Sequence, residues 1–456
     1  MTAPVRTIEQ AEVRSGPVVF ALALAVLGFS LMQTLLVPAL PELAHSFEAQ
    51  PGAAGWILTV YLLAGAVTAP ILGALGDLHG HRRLLLVTLA LFAVGSVLAF
   101  FAPSFAVLLV ARVVQGAATA SFPLALAIVR VQLPAERRAA AIGWLSGMLG
   151  LGAGSALVIG GILTDVVGWR GLFGFGAMMA LASLAAVARW VPRGHGRRVG
   201  RLDLAGAALL AAGLAALLLA ISQGSTWGWA SPAAIGLFAA AAAGFAGLVL
   251  VERRTAVPVV DVRSLADVRL ALVSLVTVFL GFVPYLFYVA LPILLESPAG
   301  IGHGMSVTAA GIAMLPSAVL VFVGGRLAPA LISRVPGGVV VSLALVVMLA
   351  GSTLAALWPS SLAAVVIGFA LIGFGNGAGF AAASDLVTRI APRDEVAAAA
   401  GLNGVLRTVG SAVGIPVTGA ILATSAVDEA GLRALFLLAA VASLVAALLG
   451  ALIRRA

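Results

Sequence analysis

Apolar runs of roughly 20 residues, the length that a helix needs to cross the hydrocarbon of a bilayer, recur along the whole chain. Short clusters of Pro, Gly, Arg or acidic residues separate them. A helix is suited to this environment because it satisfies its own backbone hydrogen bonds where water is absent. We count fourteen such runs in the 456 residues. They predict an all-α, polytopic membrane protein with fourteen transmembrane helices.

The composition also indicates a bilayer as the main solvent. Hydrophobic residues make up 62% of the chain and charged residues 9%, whereas soluble domains carry roughly 25% charged residues. There is no cysteine, which excludes disulfides, thiolate metal sites and cysteine nucleophiles. The formal charge of +9 lies between the apolar runs, so we expect a lipid bilayer and no nucleic acid as its partner.

The 26 basic residues are all arginines, and they alternate in the way that membrane topology requires. Twenty-one of them fall in or beside alternate loops, and only Arg170 and Arg433 fall in the other set. Cytoplasmic loops carry the excess of basic residues in membrane proteins. The first run is too long for a signal peptide and is expected to stay in the protein. These observations predict a multi-pass protein of the cell membrane with both termini in the cytoplasm.

The two halves of the chain repeat. The segment 134–143 (PAERRAAAIG) matches 392–401 (PRDEVAAAAG), and each opens a glycine-rich run. The same offset relates two further pairs of glycines, Gly152 with Gly410 and Gly161 with Gly419. The repeat predicts two six-helix bundles, residues 1–200 and 257–456, with an inserted pair of transmembrane helices at 201–256.

The most specific motif is GALGDLHGHRRL, which lies between the second and third runs. It resembles the signature loop of the major facilitator superfamily, G-x-L-x-D-R-x-G-R-R, although Leu78 and His81 stand at two of its basic positions. The resemblance implies the major facilitator fold and a latch that joins the two bundles on the cytoplasmic side when the protein opens outward. The candidate latch residues are Gly73, Asp77, Gly80, Arg82 and Arg83. A solvated turn would explain the arginines alone.

Arg112 and Gln115 lie inside the fourth run, in the sequence RVVQG. An arginine is costly at this depth unless it faces a cavity or finds partners, so a functional site is the first hypothesis. The pair resembles the second motif of the superfamily, which implies a role in coupling protons to transport. The alternative is a structural arginine bonded to backbone carbonyls. Asp385, the deepest acid, precedes Arg389 by four residues, which suits either an ion pair or a proton relay.

Three further segments resemble the fourteen-span drug:proton antiporters, a multidrug efflux family. The fifth run carries their ladder of glycines, although Ala156-Leu157 replaces a Gly-Pro pair. The segment 201–260 resembles their inserted helices, and Gly168-Trp169-Arg170 opens the sixth run as theirs does. In the first run, Met32 stands where that family usually has an aspartate. Helix packing alone would also explain the glycines.

Polar and aromatic side chains inside the runs are candidates for a substrate cavity, because such groups should face the interior of a bundle. Aromatic faces suit large, apolar or cationic ligands. Packing or lipid contact is the alternative for the aromatic residues. The candidates are Gln33, Tyr61, Phe282, Tyr285, Tyr288, Asn376, Asn403 and Arg407.

The sequence therefore predicts a secondary active transporter that exports small, partly apolar compounds by alternating access, driven by proton antiport. A differently coupled or uncoupled metabolite facilitator and a membrane sensor that does not transport remain alternatives. No catalytic triad, metal cluster or nucleotide motif survives its context, so we expect no enzyme activity, no cofactor and no metal. The expected partners are a small-molecule substrate, protons and the bilayer, and the expected state is a monomer.

Overall fold

A computed structural model describes residues 15–49, 53–193, 203–255, 266–298, 302–391, 396–425 and 429–453. In that part of the chain, the regular structure consists of helices joined by short turns. The first half contains α1 (Ser15–Thr34), α2 (Leu40–Ser46), α3 (Trp56–His79), α4 (His81–Phe100), α5 (Phe105–Gly116), α6 (Ser121–Gln132), α7 (Ala135–Val167) and α8 (Trp169–Trp190). The second half contains α9 (Leu204–Trp227), α10 (Pro232–Glu252), α11 (Val268–Glu296), α12 (Val307–Ile332), α13 (Gly337–Leu357), α14 (Leu362–Ile390), α15 (Val396–Ser425) and α16 (Glu429–Ile453).

Twelve spans in the described part are long and apolar enough to cross a membrane, with α5 and α6 forming one of them. The described apolar stretches of α7 and α9 are shorter, Ser155–Val167 and Ala205–Ile221. The all-α membrane fold is thus confirmed, and the count of fourteen spans stays a prediction.

Two predicted spans are divided in the structure. The first apolar run extends over residues 17–41 and predicts one helix there, but α1 ends at Thr34 and α2 begins at Leu40. Pro38 lies in this break and Pro41 lies in the first turn of α2, and proline disfavours helix in the residue before it. The fourth span changes to a 3-10 turn at 117–120 between α5 and α6.

Following the sequence repeat, we call α1–α8 the N-terminal bundle and α11–α16 the C-terminal bundle; α9 and α10 pack against each other. In each bundle the glycine-rich helix packs closely on the first long helix. A Cβ built on Gly152 of α7 would lie 2.6 Å from the Ser30 Cβ of α1, and one on Gly410 of α15 would overlap the Val278 carbonyl of α11. Small residues permit this approach, and the two glycines are those that the sequence repeat paired.

We call the end that carries Arg82, Arg137 and Arg334 the arginine-rich end, and the opposite end the arginine-poor end. The inserted helix α9 packs against α3 and α15, one helix from each bundle. Leu210 and Leu214 of α9 join Ala66 and Leu402 in a small apolar cluster there.

Candidate functional site

Arg112 is completely buried near the end of α5, inside the N-terminal bundle. Its Nε donates to the Ile57 carbonyl at 3.0 Å, and one terminal nitrogen donates to the Gln115 Oε1 at 2.8 Å. Gln115 Nε2 then donates to the Ser96 hydroxyl at 2.7 Å. The guanidinium lies 4.2 Å from the centre of the Tyr61 ring. These contacts hold the cation in one position, and we call Arg112, Gln115 and Ser96 the N-terminal relay.

Two glycines let the helices approach closely enough to build this relay. A Cβ on Gly95 of α4 would lie 2.7 Å from the Gln115 Cγ, and one on Gly116 of α5 would lie 2.8 Å from the Tyr61 carbonyl. Neither position has room for a larger side chain. The glycine that follows Arg112 and Gln115 in the RVVQG motif is therefore explained by packing.

The burial of Arg112 is compatible with a functional role and with a structural one. The Ile57 carbonyl is the backbone partner that a structural arginine needs. The second terminal nitrogen of Arg112 has no hydrogen-bond partner among the described residues. Met32 is 1% exposed, and its Sδ and the Ser96 hydroxyl both lie against Gly176. The position where the antiporters carry an aspartate is therefore beside the relay, but here it holds a thioether. Proton coupling by Arg112 and Gln115 stays a prediction.

Four other cavity candidates, from α1, α11 and α15, form a group around Tyr285, which lies within electrostatic range of Arg112. Tyr285 and Tyr288 are 5% and 7% exposed, and their rings meet edge to face at 5.3 Å. Gln33 is a hydrogen-bonding neighbour of Tyr285, which also lies within electrostatic range of Tyr61. Arg407 interacts with both tyrosines. The structure thus brings polar groups from the two bundles together.

Arg407 is held much less firmly than Arg112. Its guanidinium lies 4.8 Å from the centre of the Phe380 ring, and its Nε has no hydrogen-bond partner among the described residues. An arginine that rests on an aromatic face keeps its donors available. Arg407 is therefore the described candidate best able to contact a ligand.

The remaining three cavity candidates are Asn376, Phe282 and Asn403, and each has a different environment. Pro284 lacks an N–H, which frees the carbonyl of Leu280 four residues earlier, and the Asn376 amide donates to that carbonyl. The Phe282 ring packs on Gly414 of α15. Asn403 is 2% exposed, and its Oδ1 has no hydrogen-bond partner in the described part. Asn376 thus has a structural partner at the proline, and its place in the cavity lining stays a prediction.

Asp385 does not join this cluster. Arg389 Nε donates to its carboxylate at 2.6 Å, and both side chains are partly exposed, by 30% for Asp385 and 64% for Arg389. The ion pair expected from the four-residue spacing is present near the arginine-rich end of α14. Its accessibility favours the structural interpretation of Asp385 over a buried proton relay.

The candidate latch is helical rather than a loop. Helix α3 extends to His79, and Gly80 alone joins it to α4 with φ 94°, a conformation that favours glycine. Arg82 donates to the Ala188 carbonyl at 2.8 Å, in the last turn of α8 of its own bundle. Arg83 is exposed, a Cβ on Gly73 would meet no atom, and the side chain of Asp77 lies outside the described residues. Latching between the bundles stays a prediction.

The two bundles meet at the arginine-poor end, where α7 packs on the start of α12. A Cβ on Gly161 would lie 2.7 Å from the Thr308 Cα, and one on Gly311 would overlap the Leu157 carbonyl. The Asp165 carboxylate accepts the Thr308 N–H at 2.9 Å. It therefore caps a helix of the other bundle, where the helix dipole favours negative charge. We call this contact the cross-bundle junction; the sequence identified Gly161 but not Asp165.

A second carboxylate, Glu42 on α2, lies near this junction. The Trp169 backbone donates to its Oε1 at 3.3 Å. Burial raises the pKa of Glu42 above its ordinary value, the Trp169 hydrogen bond opposes this, and the negative charge of Asp165 adds to the rise. A raised pKa means that lower pH favours the packed arrangement over one in which Glu42 is solvated.

The comparisons with known proteins agree with this geometry. The family model of the Major Facilitator Superfamily matches residues 22–200, 172–415 and 273–456. The Tetracenomycin C resistance and export protein of Streptomyces glaucescens is 32% identical over 91% of this chain and 77% of its own length. The Cephamycin export protein CmcT of Amycolatopsis lactamdurans is 30% identical over 84% of this chain and 80% of its own.

Solved structures show the same fold at low identity. The human organic anion transporter MFSD10 aligns with a TM-score of 0.64 at 19% identity, over 95% of this chain and 99% of its own. An inward-facing bacterial homologue of the human lysosomal transporter Spinster aligns with a TM-score of 0.66 at 19% identity, over 96% of each chain. Family model, relatives and fold agree that the chain is a multi-pass membrane transporter, not an enzyme, and that it belongs to the Major Facilitator Superfamily.

Proposed function

We propose that the chain exports small, partly apolar compounds across the cell membrane by alternating access, as a monomer with both termini in the cytoplasm. The carrying observation is that Tyr61 and Arg112 of one bundle lie within electrostatic range of Tyr285 of the other. A ligand between the bundles would contact both. The names of the relatives, which specify export of tetracenomycin C and cephamycin, support the direction and the substrate class.

The cross-bundle junction supports alternating access. Its described polar contact is a single hydrogen bond between a carboxylate and a backbone N–H, and the rest is glycine-lined packing. Water replaces such a charge-assisted hydrogen bond at a net cost of about 1.5–3 kcal/mol. The arginine-poor ends can therefore part when the bundles rock about the central site.

Proton antiport is the driving force that we propose, with Arg112 and Gln115 as the coupling groups. An uncoupled facilitator is the second candidate, and a specific observation favours it. Met32 is packed beside the relay where a carboxylate would be expected, and Asp385 is already paired with Arg389. The motif with Arg112 and Gln115 supports proton antiport, and the methionine at the position of the expected carboxylate supports the facilitator.

The decisive experiment is flux in liposomes. The purified protein is reconstituted and offered a panel of polyketide and β-lactam compounds, toxic cations and metabolites, with and without an imposed pH gradient. Flux that an inward proton gradient accelerates supports antiport. Flux that is indifferent to the gradient supports the facilitator, and ligand binding without any flux would defeat the proposal.

Alternating access has its own test because the chain contains no cysteine. Spin labels at Val166→Cys and Leu357→Cys report the arginine-poor end, and labels at Val131→Cys and Val335→Cys report the other. All four positions are exposed. Opposite changes of the two distances on adding substrate or protons support the mechanism, and changes in the same direction contradict it.

A glycine variant tests the junction directly. Gly161→Leu places a side chain against the Thr308 backbone and should hold the arginine-poor end open. The matched control is Gly404→Ala, because a Cβ there meets no atom within 4 Å. An unchanged distance at the arginine-poor end in Gly161→Leu would show that the junction is not the closing contact.

A further inference from the structure

Helices α1 and α7 are in close contact at their middles and separate toward the arginine-rich end. In the middle, the Ser30 hydroxyl donates to the Leu149 carbonyl at 2.6 Å, and Gly152 allows the backbones to approach. Beyond these contacts lies a cavity of about 580 Å³ between the two helices. We call it the α1–α7 groove.

The walls of the groove are apolar and its outer end carries a cation. Val19, Leu24 and Met148 are among the apolar residues, and Arg137 lines the arginine-rich end. Two aromatic side chains on the rim are largely exposed, Phe20 by 57% and Trp144 by 62%. The groove is therefore amphipathic along its length, with a cation at one end and apolar walls along the rest.

Arg137 is exposed, and the described residues provide no hydrogen bond or ion pair to its side chain. The neighbouring Arg138 differs, because its Nε donates to the Leu133 carbonyl at 2.9 Å. Arg137 precedes Trp144 by seven residues, which is about 10 Å along a helix. When Trp144 lies at the depth of the acyl chains, the Arg137 guanidinium therefore lies near the depth of the lipid headgroups.

We propose that the α1–α7 groove binds an anionic phospholipid of the leaflet at the arginine-rich end, with Arg137 on the phosphate and the acyl chain between α1 and α7. Charge complementarity selects this occupant: basic pockets between transmembrane helices bind anionic headgroups. A zwitterionic lipid would fill the same apolar walls but would gain less from Arg137, whose side chain has no partner among the described residues. The groove is separate from the Arg112 and Arg407 centres, so the proposal is independent of proton coupling.

Trp144 reports occupancy directly. The full-length protein is reconstituted with brominated phosphatidylglycerol or brominated phosphatidylcholine at equal mole fraction, and the Trp144 signal is taken as the difference from Trp144→Phe. Brominated acyl chains quench tryptophan on contact. We expect the anionic lipid to be preferred by about fivefold in apparent affinity, the effect of one basic residue near a membrane surface.

Arg137→Gln should abolish this preference while leaving quenching by the zwitterionic lipid unchanged. The matched control is Arg130→Gln, an exposed arginine of the same end outside the groove, which should keep the preference. Equal quenching by both lipids in the parent protein would overturn the proposal, and so would a preference that survives Arg137→Gln. Displacement of the brominated lipid by a transported compound would assign the groove to substrate instead.

Discussion

Two arginines of the central region, one in each bundle, are held in different ways. Arg112 donates to a backbone carbonyl and to Gln115, lies over the Tyr61 ring and is completely buried. Arg407 rests on the Phe380 ring, and its Nε has no hydrogen-bond partner in the described part. The guanidinium of Arg112 is therefore fixed by its partners, whereas that of Arg407 is freer to move. The first is suited to holding the N-terminal bundle together, and the second to contacting a ligand.

The largest effect should come from Arg112→Met, which removes the charge and keeps much of the volume. Gln115 and the Ile57 carbonyl lose a charged donor, and such hydrogen bonds contribute roughly 1.5–3 kcal/mol each. We expect the unfolding free energy to fall by about 3–6 kcal/mol, the sum of the two hydrogen bonds, and flux to fall at least tenfold. Thermal unfolding in detergent and liposome flux measure the two quantities.

Arg112→Lys serves as the control, because a lysine keeps the charge but cannot donate in the guanidinium geometry. If Arg112 acts by holding its neighbours in position, Arg112→Lys should lose nearly as much stability as Arg112→Met. Full flux in Arg112→Met, in protein shown to be folded, would remove Arg112 from the mechanism.

Arg407→Gln should have a smaller effect on stability and a selective effect on the substrate. The variant loses the charge that Tyr285 and Tyr288 face and the contact with the Phe380 ring, and the ring contact contributes about 0.5–1 kcal/mol. We expect KM to rise several-fold with little change in the maximal rate, measured by flux over a range of substrate concentrations. A loss of stability equal to that of Arg112→Met would contradict the contrast between the two arginines.

Met32→Asp sharpens the comparison by placing a carboxylate beside the N-terminal relay. The new group lies near Ser96, which accepts from Gln115. We expect the ratio of flux with and without an inward proton gradient to rise above that of Met32→Asn, which has the same shape without the charge. Equal ratios in the two variants would place proton coupling elsewhere.

The sequence predicted the helices and the membrane class because apolar length and arginine placement are local signals. It also identified Arg112, Gln115 and the repeat-related Gly152 and Gly410. Contacts between helices that are distant along the chain could not be predicted from the sequence. Nothing in the sequence linked Asn376 to the carbonyl that Pro284 frees, or Asp165 to the first turn of α12, because both depend on tertiary packing.

Tyr61→Phe should have the smallest effect, and it separates the ring of Tyr61 from its hydroxyl. The hydroxyl lies 3.5 Å from the Phe29 carbonyl, which is long for a hydrogen bond. Its removal should cost less than about 1 kcal/mol and leave flux nearly unchanged. Tyr61→Leu also removes the aromatic face under Arg112, so its stability should fall further, by about 1–2 kcal/mol. If the phenylalanine variant lost as much flux as the leucine variant, the hydroxyl would be the functional group, and Arg112 would owe its position to hydrogen bonds alone.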